Sequence, residues 1–268
     1  MADATPMAAR RVRAIVRVMR TCVHLLHGVF IAMLRFPRMG AAERAAKVQW
    51  WSVKVLRLMG VQLIQAGAPR PGAKLLVANH VSWLDIMAIH SVCPEARFVS
   101  KADVRRWPVL GMLVAAAGTL FIERERKRDA VRVVHTMAQA LADGETVAIF
   151  PEGTTSDGRA LLPFHANLLQ AALSSQVPVQ AVVLAYSDRS APVSEAVTFI
   201  GETTLIESFW RIACGDGLRV RVRLLPARDV RHADRRRLAD SLRGEIEAAM
   251  CGVAPADQSA AAPSQPLP

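Results

Sequence analysis

VANHVSWLD, residues 77–85, joins an apolar run to a polar pair and then to a segment with the pattern of a helix start. Ser82 and Asp85 stand three positions apart, which matches a capping box, with Trp83 as the first residue of the helix. Asp85 also follows His80 by five positions, so the two side chains can meet only if the chain bends between them, as a strand-to-helix turn allows. The stretch therefore predicts either a capped helix or a base with the carboxylate that orients it.

From residue 75 onward, short apolar runs alternate with segments of helical periodicity. The predicted strands are Leu75–Ala78, Arg97–Ser100, Thr119–Glu123, Thr146–Phe150, Val179–Ala185, Val197–Ile200 and Arg219–Leu225. The predicted helices are Trp83–Val92, Val104–Ala116, Asp129–Ala142, Phe164–Ser175, Thr204–Cys214 and Ala233–Met250. This alternation predicts an α/β fold with a central, mostly buried mixed sheet flanked by helices. Asn79-His80 then stands at the carboxyl end of a strand, where open α/β sheets bind their ligands.

Two local patterns add detail to the predicted helices and strands. Trp107-Pro108 predicts a kink or break within the helix Val104–Ala116. In the last predicted strand, arginine alternates with valine from Arg219 to Arg223, which predicts an edge strand with its arginines on one wet face. His90, His135 and His232 are interpreted as packing or surface residues of helices.

Composition narrows the class of protein without choosing a partner. The 268 residues are 52% hydrophobic, enough for one large domain with an accessory segment, and the formal net charge is +11. Such a charge suits nucleic acid, anionic lipid or an acidic partner. The four cysteines are widely spread and show no metal-ligand spacing, so we expect reduced thiols in a cytosolic setting and no metal.

The N-terminal segment combines basic and apolar character. Residues 21–34, TCVHLLHGVFIAML, are shorter than the ~20 residues that span a bilayer, and five arginines lie between Arg10 and Arg20. Two histidines within the segment and the lack of a small-residue cleavage site argue against a signal peptide. The segment predicts a helix that lies in, or dips into, one leaflet. The alternative is a core helix with a basic start.

Residues 42–59 predict a second, amphipathic helix. Val48, Val55 and Met59 share one face at helical periodicity, and Gly60 is a favourable end. The opposite face carries Lys47, Lys54 and Arg57 with Trp50 among them. A tryptophan within a basic stripe is typical of a membrane interface. We therefore predict a membrane-associating helical pair over 1–60, a main domain over 61–251 and a disordered tail over 252–268.

Two further stretches carry candidate chemistry. In FPEGTTSDG, residues 150–158, Pro151 ends a strand and Gly153 lets the backbone turn tightly or approach a ligand. A polar loop would explain this pattern. A loop does not require a glutamate directly after a buried strand, however, so Glu152 is a candidate functional residue. In GTLFIERERKR, residues 118–128, a strand opens into charges. That is either a solvated helix entrance or a guanidinium placed for an anion.

Together these stretches resemble the glycerolipid acyltransferase family, which includes the 1-acylglycerol-3-phosphate acyltransferases. The family pattern runs N-H-x4-D, G-x-x-F-I-D-R, F-P-E-G-T and V-P-V, over about residues 75–185 here. The matching segments are Asn79-His80 to Asp85, Gly118 to Arg124, Phe150 to Thr154 and Val177 to Val179.

The resemblance implies a direct acyl transfer. His80 removes the proton of an acceptor hydroxyl, Asp85 orients His80, and the hydroxyl attacks an acyl thioester. No G-x-S-x-G elbow is present, so no covalent acyl-enzyme is required. The co-substrate is expected to be acyl-CoA or an acyl carrier protein, with no other cofactor. The predicted acceptor-binding residues are Asn79, Arg124, Glu152, Gly153, Thr154 and Thr155.

Three positions depart from the family pattern. Glu123 replaces the aspartate of I-D-R, Thr155 stands where members with a phosphate acceptor carry arginine, and His165 replaces a lysine. E-G-T-T-S-D-G is similar to members that acylate lyso-ornithine lipid. Arg124 and the cations after it can compensate, so the expected acceptor is 1-acylglycerol-3-phosphate, giving phosphatidic acid in phospholipid biosynthesis, with lyso-ornithine lipid as the alternative.

Other classes explain less of the chain. A nucleic-acid binder accounts for the charge and not for the His80–Asp85 pattern, and stacking aromatics are scarce. A membrane scaffold without catalysis accounts for residues 10–59 alone. The expected partners are anionic lipids, the lysolipid and the acyl donor, with no nucleic acid. The expected location is the cytoplasmic face of the inner or plasma membrane, with monotopic or peripheral attachment.

Overall fold

A computed structural model describes residues 7–122, 127–231 and 233–251. Three predicted features lie outside these ranges. They are the motif residues Glu123 and Arg124, the histidine His232, and the tail at 252–268.

Seven strands form one mixed sheet in the order β1-β7-β6-β2-β5-β3-β4. The strands are β1 Val61–Ala66, β2 Lys74–Ala78, β3 Ala96–Lys101, β4 Leu120–Ile122, β5 Thr146–Ile149, β6 Val179–Ser187 and β7 Leu218–Leu224. The central strand β2 pairs in parallel with β5 and β6, so Val77 lies opposite Ile149 and Ala181. Among the described strands, β7 pairs antiparallel to β6, and β1 runs parallel to β7. The predicted α/β class with a mixed sheet is confirmed.

Helices cover both faces of the sheet. They are α1 Met7–Leu34, α2 Ala41–Met59, α3 Leu84–Val92, α4 Leu110–Ala116, α5 Lys127–Ala142, α6 Gln170–Ser175, α7 Leu205–Cys214 and α8 Arg235–Cys251. One core joins Leu76 and Ala78 of β2 to side chains of α1, α2, α3 and α7. The other joins Leu75 and Val77 to α5, α6 and α8. Every residue of β2 is buried because both of its faces are covered, which explains its continuous apolar run.

Two predicted elements have different structures. The strand predicted at Val197–Ile200 is wrong, because Glu195–Val197 forms a short 3-10 helix and Phe199 donates its N–H to the carbonyl of Val81. This segment closes over the residues after β2 and does not join the sheet. The helix predicted at Val104–Ala116 is broken at Trp107-Pro108, as the proline indicated, with a 3-10 helix at Ala102–Arg106 before it and α4 after it.

The edge position predicted for the arginine-rich strand is also wrong. Strand β1, which the sequence analysis missed, pairs in parallel with β7 and forms the edge beyond it. Alternation along β7 holds as predicted, since its apolar residues are buried while Arg219 and Arg223 are exposed. The arginine face is thus the part of the sheet that α8 leaves uncovered, because α8 packs against β6.

The predicted N-terminal helical pair is present, and α1 is longer than its apolar segment. The helical stretch Met7–Arg38 is long and apolar enough to cross a membrane by length and composition. Exposed apolar side chains follow α1 at helical spacing and form the α1 stripe: Val12, Ile15, Val16, Met19, Val23, Leu26, Phe30, Met33 and Leu34. In α2, Val55 and Met59 are buried, and Gly60 ends the helix in the left-handed region with φ of 77°. The predicted division at 60/61 falls at this end of α2.

Candidate active site

His80 and Asp85 meet across the turn between β2 and α3. His80 Nδ1 lies 2.8 Å from Asp85 Oδ2, and Asp85 is fully buried. The same oxygen accepts the backbone N–H groups of Val81 at 2.7 Å and Ser82 at 2.9 Å. One carboxylate oxygen therefore supports the helix start and holds the imidazole, so the two sequence interpretations describe one contact set. The reciprocal half of a capping box is absent among the described residues, since Ser82 Oγ has no partner there.

The contact with Asp85 fixes which nitrogen of His80 is basic. Because a carboxylate only accepts, Nδ1 carries the proton, and in the neutral tautomer Nε2 has the free lone pair. The ring stacks on Phe150 with centroids 3.9 Å apart and planes inclined by 8°. The His80 side chain is 20% exposed. The imidazole is thus held in one plane, with a base accessible from a neighbouring cavity.

Tyr186, near the end of β6, completes the surroundings of the carboxylate. Its hydroxyl donates to Asp85 Oδ1 at 2.6 Å. Burial, with the negative charge of Asp85, raises the pKa of Tyr186 well above its ordinary value of 10, so the phenol stays a neutral donor. The sequence motifs do not include Tyr186. The available signal was a lone tyrosine at the carboxyl end of a buried strand.

Glu152 holds the backbone of the site. Its Oε1 accepts the N–H of His80 at 2.7 Å and its Oε2 accepts the N–H of Leu162 at 2.9 Å. The side chain is buried, and this burial raises the pKa of Glu152. Both oxygens are engaged by main-chain donors, so the geometry gives this predicted acceptor-binding residue a positioning contact with His80.

Asn79 makes a similar backbone contact on the other side of His80. Its Oδ1 accepts the N–H of Leu184 at 2.8 Å and its Nδ2 donates to the carbonyl of the same residue at 2.9 Å. The side chain is fully buried. It therefore continues the β2–β6 ladder beyond the last residue of β2. Ser156 adds a third restraint, because its N–H and its hydroxyl both donate to the carbonyl of His80, at 2.8 and 3.1 Å.

The glycine and threonines after Glu152 reach the surface. Gly153 adopts a φ of 72°, and a Cβ there would lie 3.0 Å from the ring of His165. Thr154 is exposed. The hydroxyl of Thr155 donates to the carbonyl of Phe199, which ties this loop to the segment that the sequence analysis had assigned to a strand. Position 155 therefore carries a hydroxyl that is already hydrogen-bonded, and no charge.

A cavity of about 490 Å³ adjoins the imidazole. His80, Gly153 and Thr155 contribute to its wall, and most other lining side chains are apolar. They come from α1, α2, α3, α4 and α7, and include Leu25, Ile31, Val48, Val55, Leu110 and Phe209. Among the described residues, Lys47 and Lys101 are the lysines and arginines of the lining. Lys101 is not part of the predicted site, although it lies at the carboxyl end of β3, as His80 lies just after the carboxyl end of β2.

Comparisons with known proteins identify the family of the chain. The family model named Acyltransferase matches residues 63–185, which run from β1 into β6. The lyso-ornithine lipid O-acyltransferase of Pseudomonas aeruginosa is 34% identical over 216 residues, or 81% of this chain and 83% of that protein. The 1-acyl-sn-glycerol-3-phosphate acyltransferase of Neisseria meningitidis is 35% identical over 191 residues, or 71% and 74%.

A solved structure gives the same fold. The 1-acyl-sn-glycerophosphate acyltransferase PlsC of Thermotoga maritima matches with a TM-score of 0.63 at 18% identity, covering 88% of this chain and 97% of that one. The chain therefore belongs to the glycerolipid acyltransferase family. Within it, the chain is an acyltransferase of the lysophospholipid type, whose relatives carry the names of both acceptors considered above.

Proposed function

We propose that this protein transfers a fatty acyl group from an acyl thioester to the free hydroxyl of 1-acylglycerol-3-phosphate, with His80 as general base. The observation that carries the proposal is the 2.8 Å contact between His80 Nδ1 and Asp85 Oδ2. In the neutral imidazole, this contact leaves Nε2 as the proton acceptor beside a cavity that fits an aliphatic chain.

The proposed reaction needs one proton carrier. Nε2 of His80 takes the hydroxyl proton while the oxygen attacks the thioester carbonyl. The tetrahedral intermediate then collapses, the C–S bond breaks, and the thiolate leaving group takes the proton back from the imidazolium. Asp85 stabilises that imidazolium and keeps its orientation. Acyl-CoA or an acyl carrier protein supplies the thioester.

The cations of the site favour an anionic acceptor headgroup. Lys101 and Lys47 line the cavity, and the sequence places Arg124 shortly after β4. Charge-assisted hydrogen bonds from such groups suit a phosphate. This supports 1-acylglycerol-3-phosphate as the first candidate acceptor and phosphatidic acid as the product.

Position 155 favours a second candidate, lyso-ornithine lipid. The Thr155 hydroxyl is engaged with the Phe199 carbonyl, so it offers no positive charge to a phosphate. An ornithine headgroup carries a carboxylate beside an amine, and it needs fewer cations than a dianionic phosphate.

Membrane association through the N-terminal pair is part of the proposed function. The α1 stripe exposes a continuous apolar surface, and the ammonium groups of Lys47 and Lys54 lie 4.8 and 5.0 Å from the ring centroid of Trp50. Lysines and tryptophan in this arrangement suit the headgroup region of a leaflet. We place the protein on the cytoplasmic face of the inner or plasma membrane, attached to one leaflet.

A panel assay tests the proposal. Purified full-length protein is incubated with acyl-CoA or acyl carrier protein thioester and with each lysolipid in turn, and the diacyl product is quantified. Transfer to lysophosphatidic acid that is lost in His80→Ala is the expected result. Turnover of His80→Ala near that of the wild type would overturn the mechanism, and exclusive transfer to lyso-ornithine lipid would replace the first acceptor by the second.

A further inference from the structure

Helix α7 exposes large apolar side chains beside the cavity. Ile206 is 83% exposed, Trp210 is 41% exposed, and Ile200 in the preceding loop is 43% exposed. Ile206 and Trp210 are four positions apart, so they lie on the same face of the helix. Grouped apolar side chains of this size on a surface mark an interaction site.

The apolar surface of α7 continues from the cavity wall to the outside. Leu205 and Phe209 line the cavity. At about 100° per residue, Ile206 and Trp210 come next around the helix, and the charged pair Glu207 and Arg211 follows them. The apolar face of the helix is thus bordered directly by a charged face. This arrangement is typical of a helix that lies at a lipid interface.

The inner side of α7 is firmly packed. Phe209 stacks on Trp83 with ring centroids 4.5 Å apart, and Trp83 Nε1 donates to Ser208 Oγ at 3.0 Å. Ile212 is fully buried. The helix therefore already has its core contacts, and the outward pair is left for a partner outside the chain.

Neighbouring elements indicate that this partner is a lipid leaflet. Helix α7 packs along α1, which carries the exposed α1 stripe, and α1 also packs against α4. On the α4 side, Trp107 lines the cavity. Trp107 and Met112 are each 46% exposed. Exposed tryptophans thus stand on two separate elements that border one cavity. Tryptophan prefers the membrane–water interface, where its ring is apolar and its N–H is solvated.

We infer that Ile206 and Trp210 form a second membrane contact, which holds the rim of the cavity in the leaflet together with the α1 stripe. This contact rests on the proposed function, since its use is to let a lysolipid enter the cavity from the bilayer without passing through water. The apolar chain of the acceptor then stays in an apolar environment throughout, and the cost of extracting it from the membrane is avoided.

The test compares two presentations of one acceptor. The double variant Ile206→Ser/Trp210→Ser is assayed with lysolipid embedded in anionic vesicles and with a short-chain lysolipid that is monomeric in solution. We expect kcat/KM to fall about tenfold or more with vesicles, which corresponds to the loss of one to two apolar contacts, and to stay unchanged with the monomeric acceptor. Val131→Ser on α5 is the matched control, because Val131 is 73% exposed and its helix packs on the opposite face of the sheet.

A second measurement does not depend on acyl transfer. Vesicles that contain brominated phospholipid should quench the tryptophan fluorescence of the wild type, and Trp210→Phe should remove part of that quenching. Equal loss of activity with both acceptors would instead make these residues part of the site, and overturn the inference. It is also overturned if quenching is the same in both proteins, or if the double variant dissociates an oligomer without affecting vesicle binding. Absence of transfer by the wild type refutes the proposed function alone, because the quenching result still stands.

Discussion

The Tyr186 hydroxyl and Asp85 Oδ1 are joined by a 2.6 Å hydrogen bond, on the oxygen of the carboxylate that does not hold His80. Both residues are buried, and together the two oxygens of Asp85 accept from one phenol, one imidazole and two backbone N–H groups. The carboxylate is therefore fixed in rotation about its own bond. Tyr186 is a positioning residue, since it contacts Asp85 and not the reacting atoms.

Tyr186→Phe should lower kcat by about tenfold with little change in KM. The substitution leaves one oxygen of a buried carboxylate without its donor, a defect typically worth ~1–3 kcal/mol. Steady-state kinetics with a saturating acyl donor measure the effect. In an Asp85→Asn background, the same substitution should add almost nothing, because the two residues act through one contact. Additive losses would mean that Tyr186 acts only on the stability of the fold.

His80→Ala should reduce turnover by about 10²- to 10⁴-fold, the usual contribution of a general base, while the protein stays folded and bound to membranes. Product formation and circular dichroism are measured on the same samples. His135→Ala is a suitable control, because His135 is an exposed histidine on α5. If His80→Ala keeps the activity of this control, His80 is not the base.

Asp85→Asn separates the two tasks of the carboxylate. If Asp85 only caps the start of α3, Asp85→Asn should lower the free energy of unfolding by ~1 kcal/mol and leave turnover nearly intact. Orientation of His80 predicts a fall in turnover by orders of magnitude as well. Because Oδ2 makes both contacts, we expect both losses in one variant. Denaturant unfolding and kinetics on the same preparation give the comparison, and intact turnover would leave only the helix-start task.

Sequence periodicity predicted the central sheet well because β2, β5 and β6 are buried on both faces and carry continuous apolar runs. It missed β1, in which Val61 is buried while Gln62 and Gln65 are exposed, and which directly follows α2. It also assigned a strand to Val197–Ile200, because apolar residues that close over a neighbouring loop have the same composition as residues that pair in a sheet. Only tertiary contacts distinguish the two.

The candidate site was predictable where a motif kept its residues close in sequence. His80 and Asp85 are five positions apart, and one local turn brings them together. Tyr186 lies 101 positions from Asp85, and its contact depends on β6 lying beside β2. The hydrogen-bond partners of Glu152 and Asn79 were also not predictable, because residue type alone does not show whether a polar side chain contacts a substrate or a backbone N–H.

Replacement of Val23, Leu26 and Phe30 by serine should weaken binding to anionic vesicles without unfolding the protein. These members of the α1 stripe are 60–68% exposed, so the change removes apolar area from the membrane contact and not from the core. Cosedimentation measures the bound fraction, with Val131→Ser as control. A truncation starting near Gly60 is a harsher test, because it also removes Leu56 and Met59 from the core. Unchanged binding by the triple variant would refute the role of the stripe.

Acid should destabilise the protein through His90. Burial lowers the pKa of His90 to about 4 from an ordinary 6.5, although its bond to the Ala96 carbonyl and the charge of Glu95 oppose the shift. Between these two pKa values, His90 binds a proton in the unfolded chain and stays neutral in the folded chain. The free energy of unfolding is therefore highest above pH 6.5 and decreases as the pH falls toward 4. The full shift corresponds to about 3 kcal/mol. Denaturant unfolding at pH 7 and pH 4.5 should show a smaller loss in His90→Gln. Equal losses in both proteins would assign the acid sensitivity to other groups.

Thr155→Arg should reveal which headgroup the site accepts. With lysophosphatidic acid, the new guanidinium can form charge-assisted bonds to the phosphate, worth a few kcal/mol in a dry site, so kcat/KM should be kept or rise. With lyso-ornithine lipid, the guanidinium lies near the cationic amine, and kcat/KM should fall.

The hydrogen bond from Thr155 to the Phe199 carbonyl requires a matched control for this substitution. Thr155→Val removes the hydroxyl and keeps the shape of the side chain. It therefore reports the loss of kcat/KM caused by breaking the hydrogen bond to the Phe199 carbonyl, without adding charge. For each variant, kcat/KM with lysophosphatidic acid is divided by kcat/KM with lyso-ornithine lipid, which gives an acceptor preference. A higher preference in Thr155→Arg than in Thr155→Val shows that the introduced charge favours the phosphate acceptor. An unchanged ratio shows that position 155 does not contact the headgroup, and the case for lyso-ornithine lipid that rests on Thr155 is then lost.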